Sequence, residues 1–272
     1  MRATVAFNRP ISTAYLHLGL TVPAFPATFR AGEFVMVRPP WVGDPFLPRA
    51  FSIYRIARQG DSPAVVEILY KVLGKGTQHL ARMEPSQEVE VLGPLGNAFT
   101  LPDDGARPVL VAGAIGVPPI AALATQIAQF RIREPLGCSA FRNVEVFLGG
   151  KTSEDILCVK DFEQAGAGVH ITTEDGSLGT KGLITDLLRP FLITHHGSRF
   201  AIYSCGPPGM LAAVARLAEE CAISCQVSVE ANMACGFGAC MGCAIEVKAD
   251  DKAYKLVCKD GPVFDSREIV WR

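Results

Sequence analysis

The sequence predicts an α+β multidomain chain with an antiparallel β-barrel, a parallel α/β domain and a small carboxyl-terminal unit. Three observations predict it. Short strand-like runs recur over residues 1–102, apolar strands alternate with helix-like segments over 103–228, and a cysteine-rich loop falls within 229–272.

In the first region the runs are Ala3–Phe7, Tyr15–Leu20, Glu33–Arg38, Phe51–Ala57, Ala64–Val72 and Glu88–Leu92. Gly and Pro bound them, as in a small barrel of short antiparallel strands. A short helix over Thr77–Met83 is expected after Gly74-Lys75-Gly76. From Arg107 onward the strands 109–113, 144–150, 169–173 and 200–206 are near-continuous apolar runs. Such runs suit strands covered on both faces, and their alternation with helices argues for a parallel sheet with ligands at its carboxyl ends. In the last region a hairpin of Ala244–Lys248 with Lys255–Cys258 is expected.

Cys235, Cys240, Cys243 and Cys258 are spaced C-x4-C-x2-C-x14-C. This matches the plant-type ligand spacing of a [2Fe–2S] cluster. The loop between them is almost all small residues, which lets backbone N–H groups close around anionic sulfurs. A zinc site and disulfides are the competing readings. Zinc sites usually pair two C-x2-4-C knuckles, but only Cys258 is left for the second. Disulfides require an oxidising compartment.

Composition narrows the function classes. A chain of 272 residues with 49% hydrophobic content can bury a sizeable core. Its 26 Lys and Arg against 27 acidic residues give a net charge of -1, leaving no electrostatic footprint for nucleic acid or an anionic membrane. The charge-free stretch Pro108–Phe130 has the length of a membrane span, but Gly113, Gly116, Pro118 and Pro119 break it. No secretory pattern is visible in the amino-terminal segment, and nine cysteines are an odd number for a disulfide framework, so a cytoplasmic location is expected. The scattered Cys138, Cys158, Cys205, Cys221 and Cys225 are read mostly as packing residues.

Several short motifs carry chemistry. Arg49, Ala50, Phe51 and Ser52 combine a fixed cation, an aromatic face and a hydroxyl, the groups a flavin nucleotide needs. Leu69, Tyr70 and Lys71 end a strand before Gly76 and Thr77, a turn that can cradle phosphate. Gly113 and Gly116 lie in a strand-to-helix turn that permits close approach to a pyrophosphate, and Cys205-Gly206-Pro207 ends another strand of the same sheet. Glu174 and Asp175 follow a strand, where an acidic group can bond ribose hydroxyls and disfavour a 2′-phosphate. His17, His79, His170, His195 and His196 show no spacing that suggests a catalytic set, and no catalytic residue is assigned.

Taken in order, RAFS, GKGT, GAIGVPP, EDGSLGTKG, CGPPGM, the cysteine loop and CKDGPVF resemble the electron-transfer subunits of NAD-linked, two-subunit dihydroorotate dehydrogenases. The first two regions also resemble the wider ferredoxin–NADP reductase superfamily. The resemblance implies FAD in the barrel, NAD as a diffusible co-substrate and a [2Fe–2S] centre on Cys235, Cys240, Cys243 and Cys258. It further implies an FMN-containing catalytic partner in a hetero-oligomer, a heterotetramer, serving pyrimidine biosynthesis. Arg49 to Ser52, Leu69 to Lys71, Gly76 and Thr77 would complete the FAD site. Two features depart from the family: GAIGVPPI keeps fewer glycines, and Phe130–Arg142 is longer. A reductase subunit of a hydrogenase or a bifurcating transhydrogenase uses the same superfamily domains.

Overall fold

In the computed structural model, residues 40–46, 59–61, 102–104, 134–142, 196 and 249–252 and the side chains of 131–133 lie outside what is described. Cys138, His196 and most of the long stretch Phe130–Arg142 therefore fall outside the described residues.

The first sheet contains β1 (Arg2–Pro10), β2 (Tyr15–Val22), β3 (Phe34–Arg38), β4 (Arg49–Ser52), β5 (Arg55–Ala57), β6 (Ala64–Lys71) and β7 (Glu88–Leu95). They run in the order β4-β3-β7-β1-β2-β6-β5, each described neighbour pair antiparallel. The predicted single strand Phe51–Ala57 is thus two strands. At the switch, the Ile53 N–H donates to the Glu33 carbonyl and the Tyr54 N–H to the Glu67 carbonyl. One continuous segment thereby pairs with β3 through β4 and with β6 through β5, which curls the sheet into a barrel. Leu18, Leu20, Val35, Val37, Ile53, Val66 and Ile68 fill its interior. The helix α1 (Lys75–Ala81) begins two residues earlier than expected, because Gly74 holds an extended conformation at its start.

The second sheet contains β8 (Arg107–Gly113), β9 (Glu145–Gly150), β10 (Gly168–Thr173), β11 (Thr180–Lys181), β12 (Phe200–Cys205), β13 (Ser224–Ser228) and β16 (Val263–Asp265), in the order β11-β10-β9-β8-β12-β13-β16. All its pairings are parallel except β13 with β16. Strand side chains alternate between two cores. Leu110, Ala112 and Tyr203 pack with α2 (Val117–Arg133) and α3 (Val159–Gln164). Val109, Val111 and Ile202 pack with α4 (Ile184–Thr194) and α5 (Pro208–Glu220). Burial on both faces explains why these strands read as unbroken apolar runs. The charge-free stretch is β8, a tight turn and α2, and no helix is long and apolar enough to cross a membrane among the described residues.

β11, β13 and β16 were not anticipated from sequence. The expected hairpin is shortened to β14 (Ala244–Glu246) and β15 (Tyr254–Leu256), followed by the helical turn α6 (Val257–Asp260). Cys258 therefore sits on a helical turn rather than a strand. Of the scattered cysteines, Cys205 and Cys225 are core residues as expected, while Cys158 and Cys221 are half-buried.

Barrel and α/β region meet through polar contacts. The Tyr15 hydroxyl donates to Asp155 Oδ1 at 2.5 Å, Lys71 Nζ donates to the same oxygen at 3.1 Å, and the Lys151 N–H donates to Oδ2 at 3.0 Å. The Tyr54 hydroxyl donates to Asp161 Oδ2 at 2.7 Å, and Arg55 to Oδ1 at 2.8 Å. Burial alone raises the Asp155 carboxyl, but the bonds from Tyr15, Lys71 and Lys151 outweigh it and hold it below the ordinary carboxylate value. Asp155 is 8% exposed yet lies on a cleft wall rather than in the deep core, so its desolvation is incomplete. Asp155→Asn is expected to cost about 1–3 kcal/mol near neutral pH, the usual range for disrupting buried hydrogen bonds. A carboxyl depressed in the folded state stabilises above its unfolded value of about 3.9, and that contribution disappears as pH falls through the folded value. Urea titrations of both proteins should therefore differ near pH 7 and draw together as the pH is lowered below the unfolded value and through the folded one.

Candidate functional site

Three clefts are lined by the barrel, the second sheet and the cysteine loop in different combinations. The first, of about 220 Å³, is walled by Arg49, Ala50, Phe51 and Ser52 of β4 and by Leu69, Tyr70 and Lys71 of β6. Thr77 lies at one end, and Ile115, Pro118 and the segment from Ser228 to Met233 form the opposite wall. The Thr77 hydroxyl accepts N–H bonds from Leu73 at 2.9 Å and Gly74 at 3.2 Å and so fixes the turn, while Gly74 occupies the helix-capping position. A Cβ on Gly76 would stand 2.7 Å from Arg49 Nε. Only a glycine lets the guanidinium lie against this backbone. A cation, backbone donors and an aromatic wall placed around one slot fit a flavin nucleotide.

The second cleft, of about 470 Å³, opens at the carboxyl ends of β8, β9, β10 and β12. The order β10-β9-β8-β12-β13 reverses direction between β8 and β12, and a doubly wound sheet binds nucleotides at such a crevice. Gly113 and Pro207 line this cleft, whereas Gly116, Cys205 and Gly206 do not and instead pack against one another. A Cβ on Gly116 would come within 2.4 Å of the Cys205 carbonyl oxygen, so these residues set how closely the two strand-end turns approach. Gly116→Ala forces backbone apart and is expected to destabilise by about 1–3 kcal/mol, as overpacking does. NADH binding should weaken with it, measurable by thermal melting and by titration.

Glu174 lines the nucleotide cleft, whereas Asp175 does not. The Asp175 carboxylate instead accepts bonds from Ser177 N at 2.9 Å and Ser177 Oγ at 2.6 Å, closing its own turn. Among the residues on this cleft that escaped sequence reading are Asp155, Thr172 and Ile184, while Met210 belongs to the CGPPGM strand end. The Thr172 hydroxyl is buried on the cleft wall without a partner among the described residues, which fits a ligand that supplies one. Only the unbroken polar pair Thr172-Thr173 within an apolar strand could have signalled it. Lys71 lines both this cleft and the first.

The cysteine loop leaves the flavin-type cleft directly. Met233 lines that cleft and Cys235 follows two residues later, at most about 7 Å away along the chain. The four sulfurs fall into two pairs. Cys243 Sγ and Cys258 Sγ are 3.2 Å apart and buried, and the Cys240 N–H donates to Cys235 Sγ at 3.5 Å. The Cys258 N–H donates to Cys243 Sγ at 3.4 Å. All eight described cysteines are free thiols, and among the described residues no three His, Cys, Asp or Glu side chains gather around a single ion position. Paired thiols suit a two-iron centre with two ligands per iron.

Backbone donors complete the fit. Gly236 and Gly238 adopt φ of +82° and +91°, and a Cβ on Gly236 would lie 2.5 Å from Met36 Cγ. Burial raises the Cys235 thiol, but N–H bonds from Phe237, Cys240 and Ala239 and the Cys240 side chain outweigh it and bring it down to about 6. Burial and the adjacent Cys243 push Cys258 up to about 12. The third cleft, about 670 Å³, borders this loop through Ala234, Cys235 and Phe237 and the barrel through Met36, Leu47 and Leu92. On the same loop Phe237 and Met241 are 58% and 61% exposed.

Comparison with known proteins agrees with this geometry. Residues 230–270 match the model for the iron–sulfur cluster binding domain of dihydroorotate dehydrogenase B, and residues 110–216 match the oxidoreductase NAD-binding domain. The chain is 36% identical over 272 residues to the dihydroorotate dehydrogenase B (NAD(+)) electron transfer subunit of Bacillus caldolyticus, covering 99% of this chain and 98% of that one. It is 35% identical over 241 residues to the subunit of the same name from Desulforamulus reducens, covering 88% and 86%. Among solved structures, an NADH-dependent reduced ferredoxin–NADP oxidoreductase superposes with a TM-score of 0.80 at 23% identity, over 99% of this chain and 90% of that one. A ferredoxin–NADP+ reductase from Neisseria gonorrhoeae superposes with a TM-score of 0.63 at 17% identity, over 81% and 90%. At those identities the two structures speak for the fold alone.

Proposed function

Because this chain belongs to the family of electron-transfer subunits of dihydroorotate dehydrogenase B, we propose that it carries electrons from an FMN-containing catalytic subunit, which oxidises dihydroorotate, to NAD+. It works in pyrimidine biosynthesis, in the cytoplasm, within a heterotetramer. The units are a barrel over 1–102, a nucleotide domain over 103–228 and a cluster domain over 229–272, ranges within which the two family matches fall.

When bound, the [2Fe–2S] cluster supplies one-electron chemistry and FAD the exchange between one- and two-electron chemistry. Cys235, Cys240, Cys243 and Cys258 hold the iron, and the glycine-rich loop aims N–H groups at the sulfurs. Arg49 pairs with flavin phosphate, Ser52 and the β6 backbone orient the ring, and Thr77 keeps the turn after Gly74 in shape. Glu174 accepts bonds from the ribose hydroxyls and repels a 2′-phosphate, which selects NAD. Phe237 and Met241 offer the partner an apolar contact beside the exposed Cys240.

The observation that carries this reading is the short run from Met233 on the flavin cleft to Cys235 in the cysteine loop. Anaerobic purification of the native complex tests it. FAD, iron and acid-labile sulfide are expected with this chain, and FMN with its partner. A colourless chain that binds zinc and copurifies with no flavoprotein would end the proposal. A place in a bifurcating complex gains weight only from fold similarity at 23% identity, and the identity of the copurifying subunit separates the two.

A further inference from the structure

The turn from β8 into α2 holds a strained residue whose role deepens the proposed function and rests on it. Ala114 has a φ of +47°, a left-handed conformation that is costly for a residue with a Cβ and free for glycine. Five described residues other than glycine have positive φ, and of these only Ala114 lines one of the three clefts. Strain of this kind persists at functional sites, where it is part of the mechanism.

The turn stands between two binding spaces. Gly113 and Ala114 line the nucleotide cleft, whereas Ile115 and Pro118 line the flavin-type cleft. The left-handed residue is the point at which the chain passes from one wall to the other. Packing keeps side chains off both glycines of the turn: a Cβ on Gly113 would lie 2.5 Å from Met210 Sδ, and one on Gly116 2.4 Å from the Cys205 carbonyl oxygen. Ala114, half-buried, is thus the one residue of the turn that brings a side-chain carbon to the nucleotide cleft.

Charge does not substitute for close contact there. Among the described residues of this cleft, Lys71 and Lys151 are matched by Asp155 and Glu174, and Lys71 Nζ already bonds Asp155 Oδ1 at 3.1 Å. With no surplus of cations, the hold on a diphosphate depends on how near its oxygens come to the backbone of the turn. A methyl keeps other heavy atoms about 3.5–4 Å away. An N–H bond to oxygen needs about 2.9 Å.

We propose that the Ala114 methyl is a spacer that holds the diphosphate of the dinucleotide off this turn, setting an affinity loose enough for NADH to leave. Binding that is equally strong in every bound state lowers KM without raising kcat, and product release limits turnover in many enzymes. Glycine would meet the same φ without steric cost and tighten the hold. The strain at Ala114 therefore serves release.

The test compares Ala114→Gly with wild type in the native complex loaded with FAD and cluster. Calorimetric titration of the oxidised complex with NAD+, and with ADP-ribose, which keeps the diphosphate but lacks nicotinamide, reads binding without turnover. Both ligands should bind about tenfold tighter in the variant, the effect of one recovered bond to a charged group. The KM for NAD+ should fall by a similar factor, kcat should not rise, and inhibition by NADH should strengthen. The melting temperature should not fall, because glycine adopts this φ freely. Unchanged or weaker binding of both ligands overturns the spacer. Tighter NAD+ with unaltered ADP-ribose overturns it too, since the methyl would then act on nicotinamide. Wild-type complex that binds neither ligand would instead defeat the underlying functional reading.

Discussion

Cys240→Ser is expected to abolish electron flow from the partner to NAD+ while leaving reduction of the bound flavin by NADH unchanged. Cys240 is exposed, so compared with wild-type protein stripped of its cluster the substitution should stay within about 0.5 kcal/mol in stability, as surface changes do. Loss of an outer partner of a metal ligand already costs about 10–100-fold in metal affinity, so loss of a ligand itself should exceed about a hundredfold. Iron and sulfide analysis, visible absorption and the two half-reactions measured separately provide the check. An intact cluster with normal electron flow would remove Cys240 from the ligand set. Serine at the buried Cys258 should in addition lower the melting temperature, because it places a hydroxyl within the α6 packing.

Arg49→Met should weaken FAD binding without unfolding the barrel. Its guanidinium lies against Gly76 and donates through Nη1 to the Leu47 carbonyl at 2.6 Å, so it is already held in place before ligand arrives. A charge-assisted hydrogen bond contributes about 1.5–3 kcal/mol, which corresponds to roughly ten- to a hundredfold weaker FAD binding. Flavin fluorescence on dilution measures it directly. Because Met keeps an unbranched stem, the melting temperature of the apoprotein should hardly change. Unaltered FAD affinity would move the phosphate site elsewhere.

Where local pattern and burial coincided, the fold was readable from sequence. The runs Val109–Gly113 and Phe200–Gly206 are apolar because helices cover both sides, and that signal is strong. Hidden features depended on contacts distant in sequence. Phe51–Ala57 reads as one strand because only the carbonyls of Glu33 and Glu67 reveal the change of partner at Ile53. β13, with exposed Ser224 and half-buried Gln226 among its five residues, lacks the apolar continuity of the other strands, and β16 exists only because β13 is there to pair with it. The cysteine spacing pointed to the segment 235–243, but not to the helical turn that carries Cys258. The acidic pair Glu174-Asp175 could not be resolved from sequence, since adjacent residues differ only in which one the turn at Ser177 consumes.

The antiparallel pairing of Ser228 with Val263 means that the excursion carrying the thiols begins and ends on the same two strands. Such an arrangement resembles a soldered joint rather than a swinging arm. Tunnelling falls off exponentially with separation, so tethering both roots of the excursion to one pair of strands holds the thiols at a short and constant reach from the flavin-type cleft.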